Sequence, residues 1–295
     1  MSLYNPLPEV IIQRNTKQLD LSSPQIMGIL NVTPDSFSDG GRFTSVSAAL
    51  KHCEKMVNEG ATIIDIGGES TRPNAAPVST QEELDRVVPI VTALRQSFDK
   101  ALWLSIDTSN PIVIEAAVAV GADIWNDVRA LKQPGAFDMA AKLDVPVVLM
   151  HMRGEPNTMD TLAHYDNVVS EVMAELQSRV DLAIKSGVKR DNIIVDPGFG
   201  FAKSYEHHCQ LLRQLADFKA LQLPLLFGIS RKRFVGEVLE RSFIPAWQQH
   251  NKEQRDPVSA AAALFAVQQG ASIIRTHNVA ITSQMLALWQ TLSRY

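Results

Sequence analysis

The stretch GATIIDIGG at residues 60–68 contains the pattern that decides the fold. A Gly-Ala pair ends a predicted helix, and a short apolar run begins immediately after it. The same junction returns as GADIWNDV at residues 121–128 and as GASIIRTH at residues 270–277. Glycine easily adopts the left-handed conformation that ends a helix, so each junction indicates a helix that leads directly into a strand.

Eight short apolar runs follow one another along the chain. They start about 35 residues apart on average, which is the length of a strand, a loop and a crossover helix. They are continuously apolar rather than alternating, which suits parallel strands covered by helices. We therefore predict an α/β fold, a single-domain (β/α)₈ TIM barrel over residues 1–295, with a doubly wound open sheet as the alternative. The runs are residues 26–31, 62–68, 102–108, 123–128, 145–151, 192–198, 224–230 and 272–277.

Local signals predict how several elements begin. Residues 9–21 predict a short N-terminal β-hairpin across the bottom of the barrel. Thr80 opens a sequence that fits a capping box. Asn110 and Asp256 are each followed by proline, which predicts a helix N-cap at both positions.

Composition and missing motifs exclude several classes of function. The chain has 28 Lys and Arg against 32 Asp and Glu, a net charge of −4, which argues against a broad basic surface for nucleic acid or membrane. Its two cysteines cannot form a disulfide framework. Motifs typical of zinc hydrolases, serine hydrolases and P-loop proteins are missing. No apolar run reaches the roughly 20 residues of a membrane helix, so we expect a cytoplasmic protein.

Polar residues follow every apolar run, where the carboxyl ends of barrel strands would share one rim. Carboxylates and an amide there suit a flat heterocycle that presents N–H donors, and the cations suit a phosphate. The alternative is that each polar residue only caps the following helix. The set is Asn31, Glu69, Thr71, Arg72, Asp107, Asn126, Asp127, His151, Asp196, Ser230, Arg231, Lys232, Arg275 and His277.

Two loops near this rim are polar and rich in glycine, at residues 31–43 and 67–79. Their composition is typical of mobile lids over an active site. The alternative is two ordinary solvated loops.

Eight motifs in order resemble the dihydropteroate synthases of folate biosynthesis. The resemblance implies a (β/α)₈ barrel that is usually a homodimer. It also implies an enzyme that joins 4-aminobenzoate to 6-hydroxymethyl-7,8-dihydropterin diphosphate with Mg²⁺, by an SN1-like path that releases pyrophosphate. The motifs are ILNVTPDSFSDGG (29–41), IIDIGGESTRP (63–73), SIDTSNP (105–111), IWNDV (124–128), LMHMRGEP (149–156), VDPGFGFAKS (195–204), GISRKRFVG (228–236) and IIRTHNV (273–279).

The resemblance also implies a role for individual residues. The implied pterin pocket consists of Asp107, Asn126, Met150, Asp196, Phe201, Gly228, Lys232 and Arg275. The implied 4-aminobenzoate site consists of Phe37, Thr71, Arg72, Pro73 and Ser230. The implied pyrophosphate site consists of Asn31, Thr71, Arg72, Arg275 and His277, with Asn31 as the Mg²⁺ ligand. The implied catalytic residues are Asp35, Lys232, Arg275 and His277.

Three positions depart from the family pattern, and two other functions remain open. Asn74 and Ala202 stand where the family often has glycine, and Asn278 stands where it often has aspartate. None of the three removes a group implied in the chemistry.

The alternative functions are a methyltetrahydrofolate-dependent corrinoid methyltransferase, which needs no pyrophosphate site, and a non-catalytic pterin-binding relative.

Overall fold

The computed structural model describes residues 10–32, 42–69, 78–242, 244 and 251–293, with the backbone alone for residues 42–45. A two-stranded antiparallel hairpin, β1 (Ile11–Arg14) and β2 (Lys17–Asp20), confirms the predicted N-terminal element. The other eight strands pair in parallel as β8-β7-β6-β5-β4-β3-β10-β9. They are β3 (Gln25–Asn31), β4 (Ile63–Gly67), β5 (Trp103–Asp107), β6 (Ile124–Asp127), β7 (Val147–Met150), β8 (Ile193–Asp196), β9 (Leu226–Phe227) and β10 (Ile273–Thr276).

A bridge between Val195 and Leu225 joins the two ends of this sheet. The backbone N–H of Val195 also donates to the carbonyl of Pro224 at 2.9 Å. The strands therefore form a nearly closed ring, which confirms the barrel and excludes the open sheet.

Helices follow the strands and cover the outside of the barrel. An extensive apolar cluster between strands and helices, which includes Ile64, Leu104, Val147 and Phe227, forms the larger core. The α-helices are α1 (Arg42–Asn58), α2 (Thr80–Ser97), α3 (Pro111–Ala119), α4 (Ala136–Leu143), α5 (Val168–Lys185), α6 (Tyr205–Arg213), α7 (Arg233–Glu240), α8 (Asp256–Gln268) and α9 (Val279–Leu292).

A second core fills the barrel near the amino ends of its strands, where one residue from each of the eight strands contributes to an apolar layer. Ile12 and Leu19 of the hairpin pack against this layer from below. The bottom of the barrel is therefore closed by apolar contact, and its other end is left for a site. The layer is Met27, Ile63, Trp103, Ile124, Val148, Ile194, Leu226 and Ile273.

Two of the three predicted helix starts are wrong in detail. The capping box of α2 is formed by Ser79 and Glu82, one residue before the prediction, because the hydroxyl of Ser79 accepts the N–H of Glu82. Asp256 lies inside α8 and caps nothing, because Arg231 binds its carboxylate. Asn110 is the N-cap of α3, as predicted.

Candidate active site

Along a strand every second side chain faces the interior of the barrel, and above the apolar layer most of these inward side chains are polar. Two residues after Ile63 comes Asp65, and two residues after Ile273 comes Arg275. The same step along the other strands gives the apolar Ile29 on β3 and, on the remaining five, Ser105, Asn126, Met150, Asp196 and Gly228. The rim residues are also in register, since Asn31 pairs with Gly67 and Gly67 with Asp107, the residue that pairs with Asn126.

Arg275 lies at the centre of this polar layer. Its Nε donates to Oδ2 of Asp65 at 2.6 Å, and its Nη2 donates to Oδ2 of Asp107 at 2.7 Å. Asp65 is completely buried and also accepts from Ser105 Oγ at 2.6 Å and Asn126 Nδ2 at 3.0 Å. Three donors thus stabilise a carboxylate that would otherwise be costly to bury.

Asp65 was missed at the sequence level because it lies inside an apolar run and not after it. An aspartate within a buried strand needs a partner, and an arginine two strands away in the barrel supplies it. Counting in steps of two from the rim glycine Gly67 would have turned Asp65 inward, toward the same interior as Asp107.

Asp196 and Lys232 form the next part of the site. Oδ1 of Asp196 accepts the backbone N–H of Gly198 at 2.7 Å. Lys232 is partly buried, donates to the carbonyl of Phe199 and lies 4.4 Å from the centre of the Phe201 ring. The carboxylate and the ammonium therefore both depend on the segment that follows β8.

Two glycines lie between these groups. A Cβ placed on Gly228 would lie 3.6 Å from Cβ of Arg275 and 3.9 Å from Oδ2 of Asp196. A Cβ placed on Gly67 would lie 3.8 Å from Oδ2 of Asp107 and 3.7 Å from Oδ1 of Asn31. The cationic and acidic groups therefore lie around two positions that have no side chain, and we call the region that they surround the hollow.

One side of this hollow is apolar. Met150 and Phe201 are buried in a small cluster of their own, separate from the two large cores. Methionine and aromatic side chains at the edge of a polar site suit the faces of a flat ring. The other members are Val128, Met152, Met159 and Ala202.

Burial and charge shift the ionisation of the site in opposing ways. Burial raises the pKa of Asp107 and of Asp196, and the neighbouring Arg275 and Lys232 limit the two rises. Burial lowers the pKa of Lys232 to about 8 although Asp196 opposes the shift. Burial also acts to lower the pKa of Arg275, but the charges of Asp65 and Asp107 outweigh it and raise that pKa.

The chain matches known proteins over almost its whole length. Residues 27–277 match the family described as Pterin binding enzyme. The chain belongs to the pterin-binding enzymes. The dihydropteroate synthase of Haemophilus influenzae is 53% identical over 276 residues, which are 94% of this chain and 96% of that relative.

Two solved structures of pterin-binding enzymes are similar to the whole chain. The dihydropteroate synthase of Xanthomonas albilineans in complex with 7,8-dihydropteroate is 45% identical with a TM-score of 0.83, over 95% of this chain and 97% of that one. The Yersinia pestis dihydropteroate synthase with a sulfonamide drug complex is 45% identical with a TM-score of 0.89, over 97% of this chain and 100% of that one.

The structure brings together the implied pterin residues of this pterin-binding enzyme. Where the sequence predicts a phosphate, Oγ of Ser230 contacts the backbone N–H of His277 at 3.1 Å and its ring Nδ1 at 3.0 Å. Asp35, Phe37, Thr71, Arg72, Pro73 and Asn74 lie outside the described residues, so both predicted lids and most of the 4-aminobenzoate site stay predictions.

The other two departures from the family pattern have structural explanations. Ala202 adopts a φ of 49°, a left-handed conformation that suits glycine better, and its carbonyl accepts the hydroxyl of Tyr165 at 3.0 Å. Asn278 is the N-cap of α9, and its Nδ2 donates to Oδ2 of Asp256 at 2.9 Å. An aspartate at position 278 could not make that second bond.

Among the described residues, no cluster of three or more His, Cys, Asp or Glu could hold a metal ion. The amide oxygen of Asn31 nevertheless faces the rim beside Gly67 and Asp107. A single neutral oxygen fits Mg²⁺, because this ion often takes few protein ligands and completes its shell with phosphate oxygens and water.

The described helices include none that is long and apolar enough to cross a membrane.

Proposed function

We propose that the protein is a dihydropteroate synthase. It joins 4-aminobenzoate to 6-hydroxymethyl-7,8-dihydropterin diphosphate and releases 7,8-dihydropteroate and pyrophosphate. The main support is the hollow between Asp196, Arg275 and Asp107, which combines acceptors for the N–H edge of a pterin with buried positive charge. Relatives of that name at high identity support the same reaction.

Asp196 holds the pterin edge. Its Oδ1 accepts the N–H of Gly198 and its Oδ2 lies on the side of Gly228, and the acceptor sites that remain on the carboxylate bind the 2-amino and N3–H groups of the ring. One N–H of Asn126 Nδ2 donates to Asp65, which leaves the second N–H and the amide oxygen of Asn126 for the ligand.

Arg275 stabilises charge from the floor of the hollow. Two of its N–H groups bind Asp65 and Asp107, which fixes its plane without an external ligand. Its three remaining N–H groups can contact the departing pyrophosphate as well as the ring, and His277 and Ser230, which contact each other, are proposed to bind the pyrophosphate beside it. Such preorganised charge lowers the barrier because it needs no reorganisation when the C–O bond breaks.

The reaction follows an SN1-like path. The bond between the methylene carbon and oxygen breaks, and pyrophosphate leaves with the electron pair. The amine nitrogen of 4-aminobenzoate then bonds to the methylene carbon, and its proton passes to water or to the released pyrophosphate. Asp35 is the predicted stabiliser of the intermediate cation, and Lys232 holds the pterin beside Asp196.

Mg²⁺ supplies charge neutralisation for the departing diphosphate when it is bound. We propose Asn31 as its protein ligand.

We also propose that the protein is a homodimer and that it is located in the cytoplasm. Exposed Phe265 on α8 and exposed Leu288 and Leu292 on α9 supply apolar surface on two neighbouring helices, which supports self-association. Light scattering after size-exclusion chromatography measures the assembly.

Pyrophosphate release tests the function. The protein is incubated with the pterin diphosphate, Mg²⁺ and 4-aminobenzoate, and pyrophosphate is measured with each component omitted in turn. We expect release only in the complete mixture and inhibition by a sulfonamide in competition with 4-aminobenzoate. Methyl transfer from methyltetrahydrofolate to a corrinoid, without pyrophosphate release, would support the alternative enzyme, and pterin binding without either reaction would support a non-catalytic relative.

A further inference from the structure

The segment that follows β8, residues 197–203, contains a buried lysine that the proposed chemistry does not use. We call this segment the pocket loop. Lys203 at its end is 2% exposed. Its Nζ binds the carbonyls of Gly198 at 3.1 Å and Phe201 at 3.0 Å, and Nδ1 of His151 at 2.9 Å. The ammonium therefore has three acceptors, which is the number of its N–H groups.

The conformation of the pocket loop is one that the chain does not favour by itself. Gly198, Gly200 and Ala202 all have positive φ, at 72°, 84° and 49°. A Cβ on Gly198 would lie only 1.9 Å from the carbonyl oxygen of His151. A backbone of this kind persists only where its surroundings fix it.

Side chains bind six backbone groups of the pocket loop, two N–H groups and four carbonyls. Two of the partners are the pterin residues Asp196 and Lys232, so the loop holds the groups that hold the ring. The remaining contacts are Gly198 N–H to Asp196 Oδ1 at 2.7 Å, Gly200 N–H to His208 Nε2 at 2.7 Å, Lys232 Nζ to Phe199 O, and Tyr165 hydroxyl to Ala202 O at 3.0 Å.

Behind Lys203 the contacts continue to the surface. Nε2 of His151 lies 3.0 Å from Oε2 of Glu175, and Glu175 in turn accepts from Nε of Arg153 at 2.9 Å. Burial lowers the pKa of His151 to about 4, so the ring is neutral, with its Nε2–H donating to Glu175 and its Nδ1 accepting from Lys203. Burial also lowers the pKa of Lys203 to about 7, and Asp196 opposes that shift.

We propose that Lys203 is a positioning residue for pterin recognition, because it fixes the carbonyls of Gly198 and Phe201 and thereby sets where Asp196 and Lys232 meet the ring. This inference rests on the proposed function. It differs from a purely structural role in one respect: loss of Lys203 should weaken binding of the pterin selectively and leave binding of 4-aminobenzoate almost unchanged.

The test uses Lys203→Met, which keeps the length of the side chain and removes all three bonds, with the exposed Lys189→Met as the matched control. Calorimetry measures the dissociation constant of 6-hydroxymethylpterin, and steady-state kinetics measures KM for both substrates. We expect the pterin dissociation constant and the pterin KM to rise about tenfold in Lys203→Met, with the KM for 4-aminobenzoate within about twofold of the wild type. Lys189→Met should match the wild type.

Several outcomes would overturn the proposal. These are an unchanged pterin constant in folded Lys203→Met, an equal rise in both KM values, or a fall in thermal stability as the sole effect. If Lys203→Met does not fold, His151→Leu removes one of the three acceptors, and we expect a rise of about threefold in the pterin constant; no rise overturns the proposal. Failure of the wild type to bind 6-hydroxymethylpterin would instead contradict the proposed function.

Discussion

The two ends of the barrel contain acidic and basic side chains in opposite proportions. At the bottom a single carboxylate, Asp123, accepts from Lys17 at 2.6 Å, from Arg95 at 2.7 Å and from the backbone N–H of Leu104 at 2.9 Å. Arg14 lies 3.4 Å from its other oxygen. Since Arg14 and Lys17 belong to the hairpin, this cluster fastens the hairpin to the barrel.

At the top the ratio is reversed. One guanidinium, that of Arg275, is bound by two carboxylates, Asp65 and Asp107, and a third carboxylate, Asp196, lies nearby with the ammonium of Lys232. The comparison indicates that an excess of cations around one acid serves attachment, and that an excess of acids over cations leaves acceptors for a ligand. Function at the carboxyl ends of the strands and stability at the amino ends is the usual division in such barrels.

Loss of the central cation at the top should have the largest effect. In Arg275→Ala we expect pyrophosphate release to fall about 1000-fold, because preorganised charge at the breaking bond is lost. Binding of 6-hydroxymethylpterin, measured by calorimetry, should persist. Turnover within tenfold of the wild type would contradict the role given to Arg275.

Loss of the central acid at the bottom should affect stability and spare activity. In Asp123→Ala we expect the free energy of unfolding to fall by about 3–5 kcal/mol, because three partly buried cations lose their partner. Urea denaturation measures the change, and kcat of the folded protein should stay within about twofold. Glu115→Ala, which breaks an exposed pair with Lys142, is the control and should cost less than about 1 kcal/mol. A large fall in kcat for Asp123→Ala would contradict the separation of stability at the bottom of the barrel from function at the top.

A fall in pH should lower the free energy of unfolding, because His208 at the carboxyl end of the barrel stays neutral in the folded protein. Its Nε2 accepts the N–H of Gly200, and burial lowers its pKa to about 3, so the folded protein holds it neutral. Below pH 6.5 the unfolded chain takes up a proton that the folded chain refuses, so stability falls as the pH falls from 6.5 toward 3. We expect a loss of about 1–2 kcal/mol between pH 7 and pH 5.

The control for this pH dependence is His208→Gln, which stays neutral throughout and should show a shallower decline in urea denaturation at the same pH values. His164→Gln should follow the wild type. Equal slopes for the wild type and His208→Gln would show that His208 does not cause the loss.

The smallest effect concerns Asn278 beside the phosphate side of the top. Asn278→Asp keeps the N-cap of α9 and places a carboxylate oxygen next to that of Asp256, and Arg231 compensates only in part. We expect the free energy of unfolding to fall by about 1 kcal/mol. Asn167→Asp, at the N-cap of α5, should change stability by only a few tenths of a kcal/mol. A more stable Asn278→Asp would contradict the assigned bond.

The sequence was sufficient for the barrel and for most of the rim, and the reason is periodicity. Strand runs, helix ends and the polar residue after each strand are local features, and Asp107 and Asp196 were found from them. Asp65 and Lys203 were missed because their importance lies in partners far along the chain, Arg275 and His151. Local sequence also misplaced the cap at Asp256, whose partner Arg231 comes from another loop.

The ring of strands is thinnest at the seam between β8 and β9, where the bridge of Val195 and Leu225 closes it. Asp196 directly follows Val195 on one side of that seam, and Gly228 directly follows Phe227 of β9 on the other. Any widening of the seam therefore separates Asp196 from Gly228, two residues of the proposed pterin pocket. A ligand that contacts both sides of the seam would stabilise the barrel where the fewest backbone hydrogen bonds close it, so substrate binding and barrel stability are coupled.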